Sequence, residues 1–171
     1  MSRIAGSGRD VALMSLRRSW VPVASTLAAA LLDLLPVVAT APLVPDFAYL
    51  VLIAWRLLRP EMWAAQIALP LGLANDLIAG HPIGQSMALW TLTFLALDLI
   101  DNRAGWRDYW MDWMFASIAI AFYTAAMWGI ARLMGSHVEM AVLGPQLALS
   151  IVSYPLVARL VIALDRWRLS R

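Results

Sequence analysis

The sequence predicts an all-α integral membrane protein, a bundle of six transmembrane helices with its N- and C-termini in the cytoplasm. Three observations lead there. The 171 residues are 62% hydrophobic and 14% charged, with a mean hydropathy of +0.73, whereas a soluble domain is roughly 45–50% apolar and about 25% charged. The apolar residues form six long stretches separated by proline and glycine. The arginines gather at alternate connections between those stretches. A soluble catalytic domain and a nucleic-acid reader are excluded, because six spans of about 20 residues each consume most of the chain. The net charge of +2 follows from where the arginines sit and calls for no nucleic-acid partner.

The first stretch covers residues 20–39, with Pro42 and Pro45 closing it. The second, 47–58, is bounded by Pro60 and holds only twelve residues. Twelve helical residues rise about 18 Å, against a hydrocarbon core of about 30 Å. It must therefore extend back through Pro45 and Asp46, or re-enter the side it came from. The third covers 62–79 and ends at Gly80 and Pro82, the fourth 83–100, ending before Gly105. The fifth covers 113–134, ending at Gly135, and the sixth 141–164. Apolar character on every side of each run excludes a membrane barrel, which needs alternating polarity. The chain thus divides into a cytoplasmic segment 1–19, a membrane domain 20–164 and a cytoplasmic tail 165–171.

Arginine placement decides the second stretch. Arg3, Arg9, Arg17 and Arg18 precede the first span, Arg56 and Arg59 follow the second, Arg103 and Arg107 separate the fourth from the fifth, and Arg166, Arg168 and Arg171 end the chain. The opposite connections, about 40–46, 80–82 and 135–140, hold none, with Arg132 close to the last. Basic residues stay on the cytoplasmic side, and six crossings put every cluster there. Trp20, Trp55, Trp63, Trp106, Trp110, Trp113 and Trp167 fall near the same interface. Trp106, Trp110 and Trp113 share one helical face, which reads as an interfacial helix ahead of the fifth span or as a docking face for a cytoplasmic partner.

Ionisable groups inside a span each need a reason. Asp33 lies late in the first stretch; Arg56, Asp98 and Arg159 can snorkel or pair at the inner surface. Gly72, Asp76 and Gly80 recur every four residues on one helical face, beside Asn75, and Gly84, Ala88 and Thr91 continue a small-residue stripe into the fourth stretch. This pattern reads as a tight helical hairpin whose Asp76 is satisfied by neighbouring helices or by backbone amides at the turn. A substrate or proton site, or a contact for a partner helix, are the other readings. If the role is packing, Asp76→Asn should keep partner binding and Gly72→Leu should abolish it. Ala24 and Ala28 form a further small pair, and Ser117, Ala121, Thr124 and Trp128, like Gln146, Ser150 and Ser153, read as bundle packing with hydroxyls as interhelical glue.

No catalytic constellation is present in the sequence, and no cofactor or metal is expected. Cysteine is absent, so thiol chemistry, Cys-based metal sites and Cys lipidation are excluded. His81 and His137 lie in different outer connections without the spacing of a helical metal site. Nor does residue 1–19 with its flanking run resemble a cleaved signal peptide.

The run Pro45-Asp46-Phe47 into an apolar helix, then Trp55-Arg56-Leu57-Leu58-Arg59-Pro60, then Gly72-Leu73 with Asp76-Leu77, Gly80, Pro82 and Gly84, resembles MreD, the rod shape-determining membrane protein family. The resemblance is specific over about residues 43–100 and elsewhere rests on length and hydropathy. It implies a non-enzymatic scaffold of the side-wall peptidoglycan elongation complex (the elongasome), multi-pass in the bacterial inner membrane. The implied partners are an MreC-like protein in the bilayer and, through it, the MreB filament, RodA and a class B penicillin-binding protein. Pro60, Gly72, Asp76, Gly80, Gly84 and Ala88 become the motif and partner-contact positions. The alternative is the substrate-binding membrane subunit of an energy-coupling-factor type vitamin transporter, which such bundles are thought to resemble. That role needs convergent polar groups near the outer loops, and those loops offer few: Asp46, His81, His137 and Glu139.

Overall fold

The computed structural model describes residues 20–34, 44–63, 65–101 and 108–169, which form helices, 3-10 turns and short connections with no strand among them. Helix α1 (Trp20–Leu34) ends in a 3-10 turn over Leu31–Leu34. Then come α2 (Phe47–Leu58), α3 (Ala65–Ala79), α4 (Gln85–Asp101), α5 (Tyr109–Leu133) and α6 (Gly144–Leu169), one helix for each expected stretch. Pro60–Met62 and Met140–Leu143 are 3-10 turns leading into α3 and α6. α5 and α6 are long and apolar enough to cross a membrane, while α1, α2 and α3 are shorter apolar helices. α6 runs five residues past the span end expected at 164. Pro42, Gly105, Trp106, Arg103, Arg107, Arg171 and the first four arginines lie outside the described residues.

The short second helix is the axis of the bundle. It does not extend back through Pro45: Asp46 caps it, accepting the Tyr49 N–H at 2.9 Å, which satisfies one of the orphan donors of a helix start. Every residue from Ala48 to Leu57 is buried, as expected of a helix apolar on all sides. α5 and α6 pack against it. The Trp55 indole N–H donates to Ser25 of α1 at 2.8 Å, and the Tyr49 hydroxyl lies 2.9 Å from the Thr93 hydroxyl of α4 and 3.1 Å from the Ala119 carbonyl of α5. Trp55, Trp90 and Phe94 are wholly buried around this axis.

Of the tryptophan face, Trp106 lies outside the described residues, and Trp110 and Trp113 stand in the first turns of α5. Trp110 is exposed, but the Trp113 indole N–H donates to the Ile151 carbonyl of α6 at 3.2 Å. Pro155, four residues on, has no N–H to give that carbonyl. Trp113 supplies the missing donor and ties α5 to α6.

At the end where α2, α4 and α6 finish, the charges pair. Buried Arg56 bonds Asp98 and, at 2.9 Å, Asp101 of α4. Arg59 donates to Asp165 at 2.8 and 3.2 Å, and Arg168 donates to the same carboxylate at 2.7 Å while stacking on Trp55. Arg159 and Arg132 stay exposed, the latter over the Trp128 ring. Burial pushes the Asp165 carboxyl up, but hydrogen bonds from Arg59 and Arg168 outweigh it and hold the group below its usual range. A carboxyl held low in the folded state stabilises the fold above its unfolded value of about 3.9, and that contribution disappears as pH falls through the folded value. Asp165→Asn should therefore lower the melting temperature near neutral pH, by about 2 kcal/mol of stability, and the gap to the parent protein should close in acid. A gap that persists unchanged through the acid range, measured by thermal unfolding in detergent, would assign the loss to something other than the ion pair.

Candidate functional site

The α3–α4 hairpin draws the expected motif together. Gly72 lies so close to α4 that an added Cβ would sit 2.5 Å from the Met87 Cα and 2.6 Å from its nitrogen. Only a residue without a side chain permits this approach. One turn on, the Asp76 carboxylate accepts two backbone N–H groups across the turn, Gly84 on Oδ2 at 2.9 Å and Ser86 on Oδ1 at 2.8 Å. The first N–H groups of α4 have no helical partner, and a buried carboxylate needs donors; each satisfies the other. Asn75 adds a bond from its amide to the Ser86 hydroxyl at 3.1 Å. The chain reverses through Gly80 at φ +70° and Gly84 at φ +95°, a left-handed conformation costly for other residues.

The structure thus gathers Gly72, Asp76 and Gly84, as the packing reading of the motif requires. It separates the other three positions from them. Gly80 is exposed with no atom near its Cβ direction, so its role is to end α3 and not to pack. Pro60 opens the 3-10 turn before α3, at the other end of that helix. Ala88 is exposed, as are Ala24 and Ala28, while Thr91 of the same stripe is half-buried. The hydroxyls of Ser117, Ser150 and Ser153 bond carbonyls of their own helices, so they are not the interhelical glue expected. Gln146 does bridge elements, donating to the Val44 carbonyl at 2.8 Å.

Beside the hairpin, at the end of the bundle opposite the arginine cluster, lies a cavity of about 770 Å³. The end of α1, the start of α2, the α3–α4 turn, the second half of α5 and the start of α6 line it. Its polar groups include Asp46, Tyr123, Gln146 and His81, set among apolar walls. The Tyr123 hydroxyl donates to Asp46 at 2.7 Å, and its ring stacks on Tyr49 with centroids 3.9 Å apart. This corrects the expectation drawn from the sparse outer loops, because Tyr123 of α5 and Gln146 of α6 join Asp46 and His81 from the connections. Tyr49, Tyr123 and Gln85 carried no weight in the sequence reading. The signal available was that Tyr49, Gln85 and Gln146 fall in the half of their apolar stretch that points away from the arginines, with Tyr123 at the middle of its own. Among the described residues no group of three His, Asp or Glu is placed to hold a metal ion.

The family model of the rod shape-determining protein MreD matches residues 15–166 of this chain. No curated protein and no solved structure matches it.

Proposed function

Because the chain belongs to the MreD family of rod shape-determining proteins, we propose that it is a non-enzymatic scaffold of side-wall peptidoglycan elongation, spanning the bacterial inner membrane six times with both termini cytoplasmic. It binds an MreC-like partner there and, through that partner, serves the MreB filament, RodA and a class B penicillin-binding protein. The observation that carries this reading is the family match over almost the whole chain.

The surface supports a membrane setting. Leu77 is 66% exposed and Val152 and Leu156 are each 70% exposed, a costly arrangement in water and an ordinary one in lipid. Charged pairs cluster at one end and the hairpin turn lies at the other, in keeping with helices that alternate in direction. Outward small residues, Ala88 among them, offer a face on which a partner's membrane helix can approach closely.

Depleting the protein from a rod-shaped host should give rounded cells, and affinity purification in mild detergent should recover an MreC-like protein. A phosphatase active only outside the cytoplasm, fused after Arg171, should be inactive; strong activity would mean an odd number of crossings. The cavity favours a second reading, a vitamin-binding transporter subunit, since its volume is that of a small-molecule site. Unchanged cell shape on depletion together with stoichiometric vitamin binding by the purified protein would replace the scaffold by that reading.

A further inference from the structure

The cavity between α1, α2, α5, α6 and the hairpin turn has a chemistry of its own, whatever the protein scaffolds. Its volume of about 770 Å³ falls within the range of about 300–1,000 Å³ typical of small-molecule pockets. Two carboxylates, Asp33 and Asp46, line it, and no arginine or lysine does among the described residues. Asp46 is fixed in place by the Tyr49 N–H and the Tyr123 hydroxyl. Asp33 reaches the cavity from the last turn of α1, and no described group donates a hydrogen bond to it. Two carboxylates facing one cavity repel each other, and a cation between them relieves that repulsion.

The walls suit the rest of such a ligand. The Trp128 indole N–H donates to the Val138 carbonyl at 2.9 Å, which holds its ring as part of the lining. Aromatic faces attract ammonium groups as well as apolar bodies. Arg132 stacks on Trp128 at 5.5 Å but does not line the cavity. Among the described residues the lining sets two carboxylates against one imidazole, His81, so its charge opposes a phosphate or carboxylate group more than it attracts one. We propose that this cavity binds a small organic ammonium ion carrying an apolar body.

The test compares tryptamine with indole-3-acetate, which share an indole ring and carry opposite charges. The full chain is titrated in maltoside micelles by calorimetry, with empty micelles as blank. Tryptamine should saturate one site per chain, at least about tenfold tighter than indole-3-acetate. Asp33→Asn removes one of the two facing charges and should weaken tryptamine about tenfold, with the melting temperature unchanged. Trp128→Leu should weaken it independently, and Arg159→Gln, on the exposed side of α6, should leave it unaltered. Adding phosphatidylethanolamine separates two sources of the ammonium group. Competition with tryptamine assigns the site to a lipid headgroup, and its absence assigns it to a free amine. Failure of tryptamine to saturate into the millimolar range, equal binding of both probes, or full affinity in both Asp33→Asn and Trp128→Leu would overturn the proposal.

Discussion

Replacing Gly72 by alanine should destabilise the fold by about 3 kcal/mol or more, the upper part of the range for forcing an atom into a packed interior. The added Cβ would meet Met87 Cα at 2.5 Å, Met87 nitrogen at 2.6 Å and the Ser86 carbonyl carbon at 2.8 Å. All three are backbone atoms, so no rotamer change can yield; α3 and α4 must move apart. That movement stretches the bonds from Asp76 to Gly84 and Ser86 and from Asn75 to Ser86, so one methyl group disturbs the whole turn. Two other glycines provide the comparison. Gly129 lies inside α5 with nothing near its Cβ direction, and Gly129→Ala should be neutral or stabilising by up to about 1 kcal/mol. Gly80 also has open space but sits at φ +70°, so Gly80→Ala should cost about 1–2 kcal/mol from backbone strain alone. Thermal unfolding of the three variants in one detergent ranks them. Should Gly72→Ala melt with Gly129→Ala, the two helices do not approach as closely as the structure has them. Recovery of an MreC-like partner is expected to fall with Gly72→Leu, whose larger side chain separates the helices further.

The contrast between Gly72 and Gly80 shows what spacing can and cannot reveal. Both fall on the face that the four-residue interval picks out, and the interval is silent on φ, so a helix-ending glycine looks the same as a packing one. The Asp76 clamp was legible because its partners stand eight and ten residues away, within a single hairpin. The cavity was not, because five separate elements build it and hydropathy hides a tyrosine inside an apolar run. Tyr123 contributes a hydroxyl to Asp46, 77 residues earlier in the chain, and no local pattern joins the two. The twelve-residue α2 misled for a related reason. Its length was judged against the thickness of a bilayer, whereas neighbours from α1, α4, α5 and α6 enclose it and its polar ends are met by Asp46 at one side and Asp98, Asp101 and Asp165 at the other.

Asp76→Asn should cost about 3 kcal/mol, contrary to the expectation from sequence that an amide of the same shape would serve. The carboxylate uses both oxygens as acceptors, one for each backbone N–H. An asparagine side chain has one acceptor oxygen and one amino group that only donates. Whichever way it turns, the amino group faces the N–H of Gly84 or of Ser86, and one donor of the α4 start loses its partner. The loss combines a charge-assisted hydrogen bond, about 1.5–3 kcal/mol, with the cost of a buried donor left unmade. Asn75→Ala provides the scale for a neutral bond at the same turn: it removes the contact to Ser86 and should cost about 1 kcal/mol. The order of melting temperatures should therefore be parent, Asn75→Ala, Asp76→Asn, and partner recovery should follow that order if the hairpin's shape presents the binding surface. An Asp76→Asn protein that melts with the parent would show that the carboxylate does not clamp both amides. One that melts early yet recovers its partner in full would separate the turn from the docking face and move that face to another part of the bundle.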